Sequence, residues 1–226
     1  MGVAPVLDLL TYHPENAIAI CLHPNISDVL EYKISALTKK YSVSIVENTK
    51  AFNLLSPKEN CFAIGIFKKY TNILLKNHNH VVLVNPSNTG NLGTIMRSCL
   101  GFDIKDIAII SPAVDAFDPK CIRASMGAFF QTRFQYFNSF DDYKKSFQKH
   151  YFYPFMLKAK ETLQTLKNIK KPYALIFGNE GSGLSDAFLE IGTPLFIEHT
   201  HNIDSLNIQT AVSLACYEFT KEEKLK

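Results

Sequence analysis

At 226 residues, with 46% hydrophobic and 20% charged side chains, the chain is long enough to bury a core and too apolar to be a disordered tail. A net charge of +3 is too mild to announce a polyanionic partner. Met1 to Leu10 lacks a basic region followed by an apolar stretch, and no apolar run reaches the length of a bilayer span. A cytoplasmic protein without membrane contact is therefore expected.

Five cysteines (Cys21, Cys61, Cys99, Cys121 and Cys216) include no Cys-x-x-Cys pair. That pattern predicts small buried thiols rather than disulfides or a zinc site, and no metal is expected. All three arginines, Arg97, Arg123 and Arg133, fall in one short stretch, and their planar forks suit phosphate.

Ala17 to Leu22 is an apolar run that predicts a buried strand, and Ser27 to Lys40 carries Val29, Ile34 and Leu37 among charges, predicting a helix that starts at Ser27. Ser42 to Val46 predicts a second strand, Ala51 to Leu55 a short helix and Phe62 to Phe67 a third strand. Residues 1–72 thus form a small α/β sandwich without a catalytic cluster, suited to binding or packing. Lys68 to His80 is polar and marks the domain boundary. Its His78/His80 pair has alternate spacing open to a metal, but an exposed linker is the stronger expectation.

Residues 80–226 form the second unit. Val81 to Val84 predicts a buried strand, followed by a helix from about Asn91 to Leu100, a strand at Ile107 to Ile110 and a short helix from Pro119 to Met126. Arg133 to Phe137 and Tyr151 to Met156 predict strands on either side of a helix from about Phe140 to His150. Ala174 to Phe177 and Leu195 to Ile197 predict two more strands, and Leu206 to Phe219 the last helix. No internal repeat or low-complexity segment occurs.

Three strand-to-helix junctions carry the chemistry: Asn85 through Arg97, Ile176 through Ser185, and Ile203 through Ile208. Glycine lets backbone approach a ligand closely, and free N–H groups at helix starts attract anions and lone pairs. Ligands of open α/β sheets bind beyond the carboxyl ends of strands, so one shared site is expected. Gly178-x-x-x-x-Gly183 imitates half a phosphate-binding loop, but Leu184-Ser185 stands where lysine and Ser/Thr are needed. No G-x-G-x-x-G follows the first strand of either unit, which excludes an ordinary dinucleotide-binding reading.

Together the three resemble the motifs of the SpoU (TrmH) family of RNA 2′-O-ribose methyltransferases, within the SPOUT superfamily. Asn91, Gly93, Ile95 and Arg97 match the first motif, Phe177 through Glu180 to Ser185 the second, and Ser205-Leu206-Asn207 the third. Arg123-Ala124-Ser125-Met126-Gly127-Ala128 resembles another recurrent segment, so the likeness spans roughly residues 80 to 220. Residues 1–72 resemble, more loosely, the ribosomal-protein-like α/β domain that many members carry as an RNA-binding arm.

The resemblance implies an α/β domain with a C-terminal trefoil knot, against the usual rule, and a homodimer whose site combines both chains. It implies S-adenosylmethionine as cofactor, cradled by Phe177, Gly178, Asn179, Glu180, Gly183, Leu195, Phe196, Ile197, Ser205, Leu206 and Asn207. Asn91, Arg97, Glu180 and Asn207 would form the catalytic neighbourhood. The partner would be structured RNA, tRNA or rRNA, met by Arg97, Arg123, Lys68 and Lys69 through folded shape and ribose edges. Glu198, His199 and His201 depart from the family's Ile-Pro-Met-x-Gly, and Gln209 stands where serine is common; for the two histidines, polar loop residues meeting solvent is an equal reading.

Methyl transfer needs a hydroxyl aligned with the methyl carbon and relieved of its proton. Guanidinium stays protonated, so Arg97 is expected to steady the developing alkoxide or grip a phosphate rather than act as base. Glu180 would fix Arg97, or the two would pair merely to lock the fold. The alternative is a non-catalytic RNA-binding or assembly protein that retains the fold.

Overall fold

A computed structural model of the chain describes residues 1–48, 50, 52, 54 and 61–222. The short helix expected over Ala51 to Leu55 falls largely outside them. The chain opens with α1 (Val3–Tyr12), β1 (Ala17–Leu22), α2 (Asp28–Tyr41), β2 (Ser44–Glu47) and β3 (Ala63–Phe67). These strands make a three-stranded sheet in the order β2-β1-β3, with β1 parallel to β2 and antiparallel to β3.

β4 (His80–Val84), α3 (Thr89–Gly101), β5 (Asp106–Ile110), α4 (Pro119–Ala124) and β6 (Arg133–Phe137) follow, then α5 (Phe140–Ser146) and β7 (Tyr151–Pro154). The chain closes with β8 (Glu161–Thr162), β9 (Tyr173–Phe177), β10 (Leu195–Phe196) and α6 (Ile208–Thr220). Five strands form one parallel sheet, β6-β5-β4-β9-β7. The chain winds from β4 outward through β5 and β6, then crosses to the other edge, so β4 and β9 flank the point where the order reverses. Open α/β sheets place their ligand crevice at such a point.

β5 and β9 are buried at every position, as strands covered on both faces must be. Alternation sorts their side chains. Val81, Leu83, Ile107, Ile109, Leu175 and Phe177 pack with residues of α3, α4 and α6, while Val82, Ala108, Ile110, Ala174 and Ile176 pack with Phe140, Tyr143 and Phe147. The first of these clusters continues into Val6, Leu9 and Leu10 of α1 and Ile20 of β1, so both sheets share one core. All five cysteines are free and buried. No helix among the described residues is long and apolar enough to cross a membrane.

The exposed linker expected at Lys68 to His80 holds at Lys68, Lys69, Thr71, Ile73 and Leu75 to His78, and is corrected at Leu74 and His80. Leu74 is buried, its N–H donates to Gln135 Oε1 at 3.2 Å, and Leu75 N–H donates to Asp106 Oδ1 at 3.1 Å. His80 is fully buried as the first residue of β4, with Nε2 2.9 Å from the Leu75 carbonyl and Nδ1 2.9 Å from the Tyr143 hydroxyl. A neutral ring that donates from Nε2 and accepts at Nδ1 satisfies both. His80 on the Leu75 carbonyl and Asn79, accepting from Tyr173 N–H at 3.2 Å, satisfy backbone groups at the amino ends of the strands, a role that composition alone does not separate from that of a solvated linker. No cluster of three metal-capable side chains occurs among the described residues.

Candidate functional site

The first two junctions meet at the carboxyl ends of β4 and β9. Asn179 Nδ2 donates to the Asn85 carbonyl at 2.8 Å. The Glu180 carboxylate accepts from Ser87 N–H at 3.0 Å, from Ser87 Oγ at 2.7 Å and from Asn91 Nδ2 at 3.2 Å. Partial burial pushes the Glu180 carboxyl up, but the hydrogen bonds from Ser87 and Asn91 outweigh it and hold the group below the usual carboxylate range. A single fixed negative charge therefore ties the start of α3 to the glycine loop.

The composition of that loop follows from its folding back. Gly183 N–H donates to the Asn179 carbonyl at 2.9 Å, and Asn179 Oδ1 accepts from Gly181 N–H at 2.9 Å and Ser182 N–H at 3.2 Å. A Cβ on Gly178 would sit 2.1 Å from the Gly183 carbonyl carbon, and Gly183 itself has φ +67°. Both positions require glycine.

A cleft of about 370 Å³ opens beside the loop, within the range of small-ligand sites. Its wall includes Phe155 and Phe177, stacked at 4.6 Å with an interplanar angle of 8°. Of the expected cradle, Phe177, Gly178, Asn179, Glu180, Gly183, Phe196, Ile197, Ser205 and Leu206 line it. Leu195 and Asn207 do not: Leu195 is fully buried beneath, and Asn207 Oδ1 caps α6 by accepting from Gln209 N–H at 3.1 Å. His199 lines the cleft with Nδ1 2.7 Å from the Ile197 carbonyl, which leaves Nε2 as its second polar atom, whereas His201 is exposed. At the mouth, Lys158 Nζ lies 2.8 Å from both Asp186 carboxylate oxygens.

The expected pairing of Arg97 with Glu180 is not formed. Glu180 is satisfied by Ser87 and Asn91, and Arg97 is exposed on α3 with no hydrogen bond or ion pair among the described residues. Arg133 is no phosphate fork either. It grips Asp106 through Nε at 2.8 Å and Nη2 at 2.5 Å. Burial pushes the Asp106 carboxyl up and Arg133 pulls it back below the usual range. Lys69 is engaged with Asp115 at 2.5 Å, Lys68 is exposed, and Arg123 is half-buried at the end of α4.

Sequence reading missed Ser87 and the cleft residues Phe155 to Lys158 and Asp186. The second group carried a partial signal: the run Tyr151 to Met156 predicts a strand, and Leu157 and Lys158 follow its carboxyl end. Ser87 carried none, since its partner lies 93 positions away.

The model of the SpoU rRNA methylase family matches residues 78–217. A tRNA/rRNA methyltransferase of Synechocystis sp., itself uncharacterized, is 30% identical over 146 residues, which cover 63% of this chain and 53% of that protein. The chain thus spans about half the length of that relative. A Listeria monocytogenes protein provisionally named a tRNA (cytidine(34)-2′-O)-methyltransferase is 28% identical over 64% of this chain and 88% of its own length. The AdoMet-bound rRNA methyltransferase of Sinorhizobium meliloti superposes with a TM-score of 0.82 at 22% identity, over 99% of this chain and 85% of that one.

Proposed function

Because this chain belongs to the SpoU rRNA methylase family, we propose that it methylates a ribose 2′-hydroxyl of structured RNA, tRNA or rRNA, using S-adenosylmethionine. The observation that carries the reading is the cleft beyond the carboxyl ends of β7 and β9, bounded by the glycine loop and bridged by Glu180 to the start of α3. The cleft suits that cofactor. It offers the stacked Phe155–Phe177 wall for a purine, the close backbone of the glycine loop for ribose and purine edges, and the Glu180 carboxylate, which has no ion-pair partner among the described residues, for a ligand of net positive charge. The relatives' names support RNA as substrate, and the Listeria name supports the 2′-oxygen.

When bound, the cofactor supplies an electrophilic methyl group. The chain's own part is to hold the donor by the loops of Phe177 to Gly183 and Phe196 to Leu206, and to orient the acceptor. Arg97 is exposed and has no partner among the described residues, as a group reserved for a substrate phosphate or a developing alkoxide is expected to be. Asn91 acts by orienting Glu180, and Asn207 acts through the start of α6. Arg97 is not among the cleft residues of its own chain, which favours a site completed by a second copy. Leu214 and Tyr217, 42% and 55% exposed on α6, offer an apolar face for that copy. The reading also includes the trefoil knot, residues 1–72 as the RNA-binding arm ahead of a methyltransferase domain at 80–226, and a cytoplasmic location.

Mapping 2′-O-methyl sites in RNA from cells with and without this protein tests the reading. Loss of one ribose methylation is expected in its absence, and an unchanged map would overturn it.

A further inference from the structure

Residues 157–171, which lead from β7 to β9, hold Lys158, Lys160, Lys167, Lys170 and Lys171 against a single acid, Glu161. That stretch nets +4, so the rest of the chain nets −1 of the +3 total. All five lysines are exposed. The segment is held in place rather than slack. Glu161 and Thr162 pair with Leu195 and Phe196, and Leu163 is buried. Gln164 clamps the backbone of Glu198 with both amide atoms, at 3.0 and 3.2 Å. Lys170 N–H donates to the Tyr153 hydroxyl at 3.3 Å.

Its course follows from the sheet. Leu157 and Lys158 line the cleft at the carboxyl ends of the strands. At the other end, Lys170 Nζ lies 5.3 Å from the ring centroid of exposed Tyr151, at the amino end of the edge strand β7. Of the acids nearby, Asp186 lines the cleft, and Glu161 lies within electrostatic reach of Tyr153. Lys160 and Lys167 have no ion-pair partner among the described residues, and the Lys158–Asp186 pair is exposed on both sides and so worth little. Some cations elsewhere are committed to acids, as Arg133 is to Asp106 and Lys69 to Asp115; what sets the strap apart is its net charge of +4 over fifteen residues that begin at the cleft.

We propose that this lysine strap is the docking track for the RNA sugar–phosphate backbone flanking the nucleotide presented to the cleft. The proposal rests on the reading of RNA as substrate. A lysine ammonium is a compact, hydrated point charge that grips phosphate without reading bases. Such contacts set register and orientation and leave the choice of nucleotide to the cleft. The strap's anchorage on β10 and on Glu198 couples that register to the same loop that lines the cleft.

Binding of unfractionated transfer RNA to the full-length protein, measured from about 50 to about 200 mM salt, tests this. The triple variant K160E/K167E/K170E is expected to lose at least about tenfold in affinity. Its plot of log affinity against log salt should be shallower by about 2, since each phosphate contact contributes about 0.7 to 0.9 to the slope. The charge-preserving triple K160R/K167R/K170R should bind like wild type, and calorimetry should find S-adenosylmethionine affinity unchanged in both. Wild-type affinity and slope in the glutamate triple would overturn the strap alone. No RNA binding by the wild-type protein would overturn the strap and the functional reading together.

Discussion

Arg97 and Glu180 divide the labour expected of one residue pair. Glu180 spends its lone pairs on Ser87 and Asn91 and so holds two loops together, while Arg97 faces solvent. Arg97→Ala should therefore leave the melting temperature and cofactor affinity unchanged and lower kcat for RNA methylation by about 10² or more, the size of losing one transition-state charge donor. Kinetics alongside calorimetry check this, and full activity in the variant would remove Arg97 from the chemistry. The motif residues were legible only as a set: singly each junction reads as a turn and helix cap, and the resemblance rests on all three in order. Their contacts were not. Ser87 is one more polar residue in a turn until the fold brings Glu180 to it.

At the scale of elements, the first motif's Gly93 serves packing. A Cβ there would meet the Cys121 carbonyl oxygen at 2.2 Å, so glycine is what lets α3 lie against α4. Gly93→Ala should destabilise the fold by about 2 kcal/mol or more, as overpacking against backbone does; an unshifted thermal transition would contradict that contact. The amino ends of the strands carry a second prediction. Burial, then the neighbouring His150, pushes His80 down to about 4, against about 6.5 for a free histidine. Acid thus protonates the unfolded chain first, and the stability held by neutral His80 is full above about pH 6.5 and lost as pH falls toward 4. The loss amounts to about 3 kcal/mol. Melting temperatures should fall across that window, and His80→Gln should flatten the fall; an identical slope in the variant would place the acid sensitivity elsewhere. The strands were legible because doubly covered parallel strands are continuous apolar runs, and β1 and β6 have the expected bounds. α1 was not. It starts at Gly2 with no side-chain cap and carries Pro5 in its first turn, so the usual start signal is missing.

For the whole molecule, an α/β architecture follows from alternating elements, but the order β6-β5-β4-β9-β7 does not. Nothing local says that β9 inserts beside β4, and that insertion is what brings the glycine loop to Asn91. Nor did composition reveal that α1 joins both sheets in one core, since a polar stretch separated them in sequence. Charge reads in the same way: a net +3 looks neutral until its positive part is found concentrated on the strap beside the cleft.

Ribose methylation by this cleft leaves a chemical signature in the RNA. Purified protein incubated with methyl-labelled S-adenosylmethionine and RNA from cells lacking it, followed by alkaline hydrolysis, reads that signature, because a 2′-O-methyl group blocks cleavage at its own nucleotide. Label retained in an alkali-resistant dinucleotide, and lost with Arg97→Ala, is the predicted result. Label released in single nucleotides, marking a methylated base, or no label in the RNA at all, would contradict it.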